Sequence, residues 1–294
     1  MPLHGLVFTL VAHRILFLRS ALIVMKIPKL RFVLSLLKHR DLLFRLTERA
    51  VATRYKGSAL GFGWSLLQPI VMLSVYTFVF STIFKSRWSG MEGAGSLGYA
   101  LNLFVGLIVF NVFADCLGSS PGLVVNNKNY ATKVIFPLEL LGATTLGSAM
   151  FQAITSIFIL IFFELAVFQR VPATLIFIPL VFLPLLLGCL SLSWLLSSLG
   201  VFLRDLEQLT PMLLSIGMFL SAVFYPVSSL PERFQPLMHF NPLALIIEQT
   251  RLVAVNGVLP QAHYIIFGTI IGLILCEISF RFFQRARRGF ADVL

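Results

Sequence analysis

Charged residues are scarce in this chain of 294 residues, at 12%, whereas hydrophobic residues make up 58%. Soluble globular domains carry about 25% charged residues, so the composition excludes a water-soluble protein with a single core. A net charge of +11 would suit a nucleic-acid-binding protein only if the basic residues lay together on a solvated surface. Most of the chain consists of long uncharged runs, so we expect no nucleic acid as a partner.

Cysteine is also rare, and several catalytic motifs are absent. Cys116, Cys189 and Cys276 stand alone in apolar stretches, without the spacing of a zinc site or a disulfide framework, so we expect buried small hydrophobic side chains. The sequence contains no GxxxxGKS/T loop, which argues against ATP hydrolysis by this chain. HExxH, GxSxG and metal-spaced histidines are absent too. We therefore expect no catalytic residue, no bound metal and no cofactor on this chain.

Six mainly apolar stretches, two of them free of charged residues, are long enough to be membrane spans, because a helix needs about 20 mainly apolar residues to cross a bilayer. They predict an all-α membrane protein with six transmembrane helices. The predicted spans are residues 57–84, 99–118, 138–163, 173–199, 206–224 and 263–280. The predicted regions are an extension of unassigned role (1–34), a cytoplasmic interface helix (35–56), a transmembrane domain (57–280) and a cytoplasmic tail (281–294).

The distribution of Lys and Arg predicts the orientation of the spans, since cytoplasmic segments carry the excess of these residues. Eighteen of the 23 lie before span one, between spans two and three, between spans four and five, or after span six. This asymmetry predicts that both termini are cytoplasmic, and it requires an even number of spans. The alternate segments carry only Lys85, Arg87, Arg170, Arg233 and Arg251.

Residues 36–54 are too charged to cross a bilayer, but their side chains separate into two faces on a helix. We expect this N-terminal amphipathic helix to lie in the cytoplasmic interface of the membrane. Two interpretations stay open, a basic membrane anchor or a surface that also receives a partner, because anchoring alone would produce the same pattern. One face carries Lys38, Asp41, Arg45, Glu48 and Arg49, and the other carries Leu36, Leu43, Phe44, Ala50 and Val51.

The segment between spans five and six, residues 225–262, contains apolar runs that are too short to cross a bilayer. Prolines interrupt these runs at several positions. We favour re-entrant outer helices, which enter the outer leaflet and return, over helices on the membrane surface. Such helices require protein or water to satisfy their backbone groups.

Acidic residues in the predicted spans lie near span ends. For Glu139 we favour stabilisation by the N-terminus of the third span, and for Glu277 an ion pair with Arg281 four residues later. For Asp115 we favour hydrogen bonding within the bundle over a role in substrate binding or ion coupling. Transporters driven by ions need ionisable residues buried within the bundle. The acids of the predicted spans lie near span ends, so the sequence predicts an external energy source.

Aromatic residues make up 13% of the chain and are frequent in and beside span one. Most should face lipid or pack between helices, but some could line a path for sugar rings, whose apolar C–H faces lie flat on aromatic rings. We select Trp64 and Tyr76 first, because each carries a polar group, and then Phe62 and Phe80.

Five stretches, taken in order, resemble the polysaccharide and polyol-phosphate export permeases of ABC transporters, the group that contains O-antigen, capsule and teichoic acid exporters. Each stretch alone is weak, but their order over residues 35–294 makes the resemblance specific. Residues 1–30 and Asp115 fall outside the pattern. The stretches are RYKGSALGFGWSLLQP (54–69), KVIFPLE (133–139), LGVFLRD (199–205), FYPVSSLPE (224–232) and NPLALIIEQTR (241–251).

The resemblance implies a homodimeric permease of the bacterial cytoplasmic (inner) membrane, working with two copies of a separate cytoplasmic ATPase that binds ATP and Mg. The implied cargo is a lipid-linked polysaccharide, with O-antigen favoured, moved from the cytoplasmic to the outer side. Short cytoplasmic segments of such permeases dock on the ATPase. This implies coupling roles for Asn127, Lys128, Tyr130, Lys133, Arg204 and Asp205, and an outer gate formed by Tyr225, Pro226, Asn241, Pro242, Glu248 and Arg251.

Two other classes of function stay open at this point. An ion-gradient-driven flippase of lipid-linked glycans would move similar cargo with a different energy source, and would need ionisable residues within the bundle. A membrane glycosyltransferase would need catalytic carboxylates facing a nucleotide sugar, and the sequence offers no cluster of acids.

Overall fold

The computed structural model describes residues 30–83, 95–131 and 136–293, and every regular element within these ranges is a helix. Helix α1, Arg31–Lys38, belongs to a separate unit from the helices after it. Most of the predicted extension 1–34 lies outside the described residues.

Eleven further helices follow His39 in the described ranges, and short irregular turns extend or join them. A π-helical turn, Phe78–Ile83, extends α3, and 3-10 turns cover Val125–Asn127, Ala173–Phe177, Val227–Ser229 and Arg287–Gly289. The helices are α2 Arg40–Tyr55, α3 Gly63–Thr77, α4 Gly95–Ser119, α5 Lys128–Ala131, α6 Leu140–Phe168, α7 Ile178–Phe202, α8 Leu206–Leu220, α9 Gln235–His239, α10 Pro242–Ala254, α11 Ala262–Ala286 and α12 Phe290–Val293.

Five helices in the described ranges are long and apolar enough to cross a membrane: α3 with its π-helical turn, α4, α6, α7 and α11. They coincide with predicted spans one to four and six. Predicted span five corresponds to α8, a shorter apolar helix of 15 residues. At 1.5 Å per residue α8 is about 22 Å long, which is less than the hydrocarbon thickness of about 30 Å.

Small residues let α7 and α11 pack closely along their length. A Cβ added to Gly272 would lie 2.8 Å from the Cβ of Leu187, and one added to Gly268 would lie 3.1 Å from that of Pro184. The hydroxyls of Ser191 and Ser279 hydrogen-bond at 2.9 Å. Close backbone approach and interhelical hydrogen bonds are the main sources of association between helices in lipid.

The three cysteines are buried and unpaired, as predicted. Each lies in the interior of the bundle, and two of them donate weak hydrogen bonds. Cys276 Sγ donates to the Leu187 carbonyl at 3.0 Å, and Cys116 Sγ donates to the Cys189 carbonyl at 3.7 Å.

The predicted interface helix is divided in the structure. Regular helix stops at Lys38 and resumes at Arg40, with His39 at φ −110° and ψ 24° between them. Val51 is buried as part of the predicted apolar face, but Phe44 of the same face is 72% exposed. Helix α2 packs on α6 through Gly147, where an added Cβ would lie 2.7 Å from Thr47 Cγ2. Part of the expected membrane-facing surface therefore contacts the bundle instead.

Contacts between distant segments mark two opposite ends of the bundle. At one end Arg287 Nη2 donates to the Phe136 carbonyl at 2.8 Å, joining the C-terminal turn to the segment before α6. At the other end Thr174 Oγ1 donates to the Val253 carbonyl at 2.6 Å. We name these the inner end and the outer end, after the predicted orientation.

Replacing Gly200 by alanine should destabilise the bundle, because the added methyl group would overlap the main-chain carbonyl of Pro121. Overpacking of this kind costs about 1–3 kcal/mol. Gly188→Ala in the same helix is the matched control, since a Cβ there meets nothing within 4 Å. Thermal unfolding in detergent should give a lower midpoint for Gly200→Ala and an unchanged one for Gly188→Ala. Equal midpoints for the two variants would contradict the close contact at Gly200.

Candidate functional site

A cavity of about 540 Å³ lies among α2, α3, α4 and α6 and is lined by polar and aromatic side chains. We call it the central cavity. Most of its walls belong to three helices that are long and apolar enough to cross a membrane. The polar and aromatic side chains that the argument uses are Arg54, Trp64, Gln68, Tyr76, Asn111, Asp115 and Gln152.

The inner part of the central cavity contains an ion pair and a hydrogen bond. Arg54 Nη2 donates to Asp115 Oδ2 at 2.9 Å, and the two side chains are 41% and 36% exposed. The Tyr55 hydroxyl donates to Gln152 Oε1 at 2.7 Å. Burial raises the pKa of the Tyr55 hydroxyl, and the neighbouring Arg54 guanidinium opposes this rise. The hydrogen bond that we predicted for Asp115 is present, and its donor comes from α2.

The four predicted aromatic residues separate into two pairs. Trp64 and Tyr76 line the central cavity. Phe62 instead packs against the rings of Tyr55, at 5.6 Å, and Phe151, at 6.5 Å. Phe80 lies 5.0 Å from the ring of Tyr99. Only the residues with a polar group thus lie along the cavity, and their role as a path stays a prediction.

Sequence reasoning missed three amide side chains of this cavity. Gln68, Asn111 and Gln152 come from α3, α4 and α6 respectively and line the same space. Asn111 is exposed although its neighbours in α4 are buried. The available signal was an uncharged polar residue in the middle of an apolar span, where hydrogen-bonding groups are costly unless they have partners or face a cavity.

At the outer end, four main-chain carbonyl groups in the last turn of α8 and just after it accept hydrogen bonds from four side chains. The chain reverses here through Ala222, at φ 54°, so the carbonyls are not used by a continuing helix. Three donors, Tyr225, Asn241 and Arg251, belong to the predicted outer gate. The bonds run from Tyr225 Oη to Phe219 at 2.7 Å, Asn241 Nδ2 to Leu220 at 3.0 Å, Arg251 Nη2 to Val223 at 2.7 Å and Tyr99 Oη to Phe224 at 2.5 Å.

Arg251 joins three elements at once. Its side chain is 2% exposed, and besides Val223 it donates to the Asn102 carbonyl of α4 at 3.0 Å and to Glu248 Oε1 at 2.9 Å. Asn241 caps α10, because its Oδ1 accepts from the backbone N–H groups of Leu243 and Ala244. Hydrogen bonds thereby join the two ends of α10 to the last residue of α8 and to the chain after it.

The predicted gate prolines lie at the starts of outer turns and helices. Pro242 occupies the first turn of α10, where its missing N–H costs nothing. Pro226 precedes the 3-10 turn Val227–Ser229. Opening and closing of this region stays a prediction.

At the inner end, two predicted coupling segments meet at a second cavity, of about 510 Å³. Lys128 and Arg204 both line it and are exposed, and Glu207 and Val293 complete its wall. We call this the inner cleft. The structure therefore brings together residues that are 76 positions apart in the sequence.

The remaining coupling candidates lie beside the inner cleft, except Lys133, which is outside the described residues. Asn127 Nδ2 donates to the Leu123 carbonyl at 2.9 Å. The Tyr130 ring stacks on Phe136, with centroids 4.4 Å apart. Asp205 is exposed at the start of α8.

Acidic residues within the spans follow the predictions in part. Glu277 pairs with Arg281 at 2.7 Å, as predicted. Glu139 lies at the N-cap of α6 without a side-chain capping bond, and its Oε2 lies 3.4 Å from Arg287 Nη1. Glu164 was not singled out by sequence, and it is 3% exposed with no hydrogen-bond partner for Oε2 among the described residues. No group of three or more His, Cys, Asp or Glu residues in the described ranges is placed to hold a metal ion.

Replacing Arg251 by alanine should unfold the outer end, because two main-chain carbonyls and Glu248 would each lose a charged donor. We expect a loss of at least about 3 kcal/mol in the free energy of unfolding. Arg233→Ala, an exposed arginine that stacks on Phe234 at 4.6 Å, is the control and should cost about 0.5–1 kcal/mol. Thermal unfolding in detergent measures both. A loss for Arg251→Ala as small as the control's would contradict the role of Arg251.

Comparison with known proteins gives a family match and several similar permeases. The family described as ABC-2 type transporter matches residues 41–255. The O-antigen export system permease protein RfbA of Myxococcus xanthus is 24% identical over 265 residues, covering 90% of this chain and 99% of that protein. RfbA of Klebsiella pneumoniae is 26% identical over 86% of this chain and 95% of its own length.

A less similar protein is also named as a transport protein. The polysialic acid transport protein KpsM of Escherichia coli is 21% identical, over 77% of this chain and 87% of its own length. The family match alone extends over well more than half of the residues and includes α2 to α10. The chain therefore belongs to the ABC-2 type transporter family, as a membrane permease with several membrane-crossing helices.

Proposed function

We propose that this chain is the permease subunit of an ATP-driven exporter that moves a lipid-linked polysaccharide out of the cytoplasm, with O-antigen as the favoured cargo. The observation that carries this proposal is the similarity to two O-antigen export permeases over 95% or more of their length. The chain itself acts as a transport subunit and not as an enzyme. It works in the inner membrane of a bacterium.

The proposed topology has six spans, with both termini cytoplasmic and α8 as the fifth span. Two observations support it. Segments predicted to be cytoplasmic meet at the inner end, where Lys128, Arg204 and Val293 line one cleft. The predicted outer ends of spans two and five meet at the outer end, where the Tyr99 hydroxyl donates to the Phe224 carbonyl. An even number of spans satisfies both observations, and α8 together with the chain that follows it would supply the sixth crossing.

The outer helices α9 and α10 are proposed to be re-entrant. Helix α8 is too short to reach water on the outer side, so the chain after it would turn at membrane depth. Irregular backbone at that depth is tolerated only where protein or a water-filled cavity satisfies its polar groups. Side-chain donors hydrogen-bond to the main-chain carbonyls of Phe219, Leu220, Val223 and Phe224, and they meet this requirement.

Energy is proposed to come from two copies of a separate ATPase, which binds ATP and Mg and docks on the inner end. The inner cleft and the exposed Arg204 and Asp205 give a contiguous surface for such a partner. A switch between two states needs a ligand that binds them with different affinity, and ATP supplies this through the partner. The homodimer would use helices with little internal packing, such as α8, in which only Thr210 is buried.

We propose that the central cavity forms part of the path for sugar. Its volume of about 540 Å³ is within the range of small-ligand pockets. Trp64 and Tyr76 offer ring faces for sugar C–H groups, and amide side chains of Gln68, Asn111 and Gln152 offer hydrogen bonds to hydroxyls.

An ion-gradient-driven flippase of lipid-linked glycans is the second candidate. Glu164 favours it, because a buried ionisable residue within a membrane helix is a functional candidate by default. Transport by the reconstituted chain under an ion gradient, without ATP or a partner, would support this class over the first.

Trp64→Ala should lower export by about two- to tenfold, the range expected for losing one aromatic stacking contact. Phe62→Ala is the matched control, since Phe62 is a similarly exposed aromatic residue of the same region that does not line the cavity. Surface polysaccharide, measured in cells that produce equal amounts of each variant, reports export. An equal effect of both substitutions would argue against a path through the central cavity.

Tyr130→Ala should weaken binding of the ATPase without unfolding the bundle, because it removes a ring that stacks on Phe136 beside the inner cleft. Tyr130→Phe keeps the stack and should bind as the unaltered protein does. We expect about a tenfold loss of affinity for Tyr130→Ala, equal to about 1.4 kcal/mol, in binding measurements with the purified subunits. Normal binding and normal export by Tyr130→Ala would show that the coupling surface lies elsewhere.

A further inference from the structure

The C-terminal end of the described chain packs against the bundle, although the sequence suggested only a cytoplasmic tail. After α11 the chain makes the 3-10 turn Arg287–Gly289 and the short helix α12. Phe290 is 1% exposed and lies 6.1 Å from the ring of Phe202 in α7 and 5.7 Å from that of Phe283 in α11. The turn that carries Arg287 is therefore held in a fixed place between two spans.

Arg287 contacts the segment between the inner cleft and α6 at two points. Its Nη2 donates to the Phe136 carbonyl at 2.8 Å, and its Nη1 lies 3.4 Å from Glu139 Oε2. The Arg287 side chain is 28% exposed and that of Glu139 is 8% exposed. Because a guanidinium carries several donors in one rigid plane, one side chain serves a main-chain carbonyl and a carboxylate together.

Both acceptors are attached to parts of the molecule that matter for coupling. The Phe136 ring stacks on Tyr130 of α5 at 4.4 Å. The Glu139 main-chain carbonyl accepts from Trp194 Nε1 of α7 at 2.9 Å. Trp194 is fully buried, and the centroids of its ring and the Phe280 ring of α11 are 5.2 Å apart in an edge-to-face arrangement. These contacts connect Tyr130, by way of Phe136, to Arg287 after α11, and connect Glu139 to α7.

We propose that Arg287 is a positioning residue, which ties the segment before α6 to the C-terminal end of α11 so that both move together when the ATPase displaces α5. The proposal rests on the proposed function, in which the partner docks at the inner cleft. Because the Glu139 side chain is only 8% exposed, loss of its charged partner would also affect stability, and the test therefore uses the export ratio, which a purely structural role would not change.

The test compares Arg287→Ala with Arg288→Ala, the adjacent exposed arginine, which makes no hydrogen bond to the part of the chain that the structure describes. Each variant is assembled with the ATPase in vesicles, and the ratio of polymer exported to ATP hydrolysed is measured. Arg287→Ala should bind the ATPase and hydrolyse ATP, but its ratio should fall at least about fivefold, the lower end of typical coupling between sites. Arg288→Ala should match the unaltered protein, and Arg287→Lys should lie between them because it keeps one donor contact.

A second readout does not depend on transport. Amide hydrogen exchange of residues 125–131 should be faster in Arg287→Ala than in Arg288→Ala, because the segment loses its attachment to the C-terminal turn. If Arg287→Ala does not accumulate, the same two measurements on Arg287→Lys decide. An unchanged export ratio with unchanged exchange overturns the role of Arg287 alone. Failure of the unaltered chain to bind the ATPase or export polymer would instead contradict the proposed function.

Discussion

Residues 219–224 form the end of α8 and the chain after it, and α8 is shorter than the hydrocarbon layer of a bilayer. In the proposed topology their carbonyl groups lie at a depth where water is not available. Each unsatisfied group would cost several kcal/mol in hydrocarbon. The chain meets this constraint with donors from three places: Tyr225 nearby, Asn241 and Arg251 of α10, and Tyr99 of α4. The positions of α10 and of the start of α4 are both fixed by this requirement. Arg251 could not be buried at 2% exposure without these acceptors.

Helix α8 connects the two ends of the molecule. It begins beside Arg204 and Asp205, at the inner cleft, and ends where Asn241 binds the Leu220 carbonyl. Its internal packing is slight, whereas α7 and α11 are locked together by Gly272, Ser191 and Ser279. The inner end therefore carries both the closely packed pair α7 and α11 and the loosely packed helix α8. This division of the bundle suits a permease whose motor lies on one side of the membrane.

Much of the fold follows from local sequence, and most of the site does not. Length and hydropathy predicted spans one to four and six, because a membrane helix is defined by an uninterrupted apolar run. The Glu277 to Arg281 pair followed from helical spacing alone. The contacts of Asp115 with Arg54 and of Glu139 with Arg287 join residues 61 and 148 positions apart. Such partners depend on how helices pack, which composition and periodicity do not determine.

The differences at α2 and in the aromatic set have similar causes. Along α2, Thr47 contacts Gly147 of α6 and Val51 is buried, whereas Phe44 of the predicted apolar face is 72% exposed; helix packing decides which part of that face meets the bundle. Phe62 and Phe80 were selected for their position beside span one, yet each has another ring as its neighbour. Gln68, Asn111 and Gln152 stand singly in three separate apolar runs, and only the packing of the helices brings them to one cavity.

The central claim is that ATP hydrolysed by a separate subunit drives export through this chain. The most direct test reconstitutes the purified chain with its candidate ATPase subunit in vesicles that contain a lipid-linked polysaccharide. The account predicts that the polymer crosses the membrane only when both proteins, ATP and Mg²⁺ are present. Transport by the chain alone under a proton or sodium gradient, with no dependence on ATP, would contradict it.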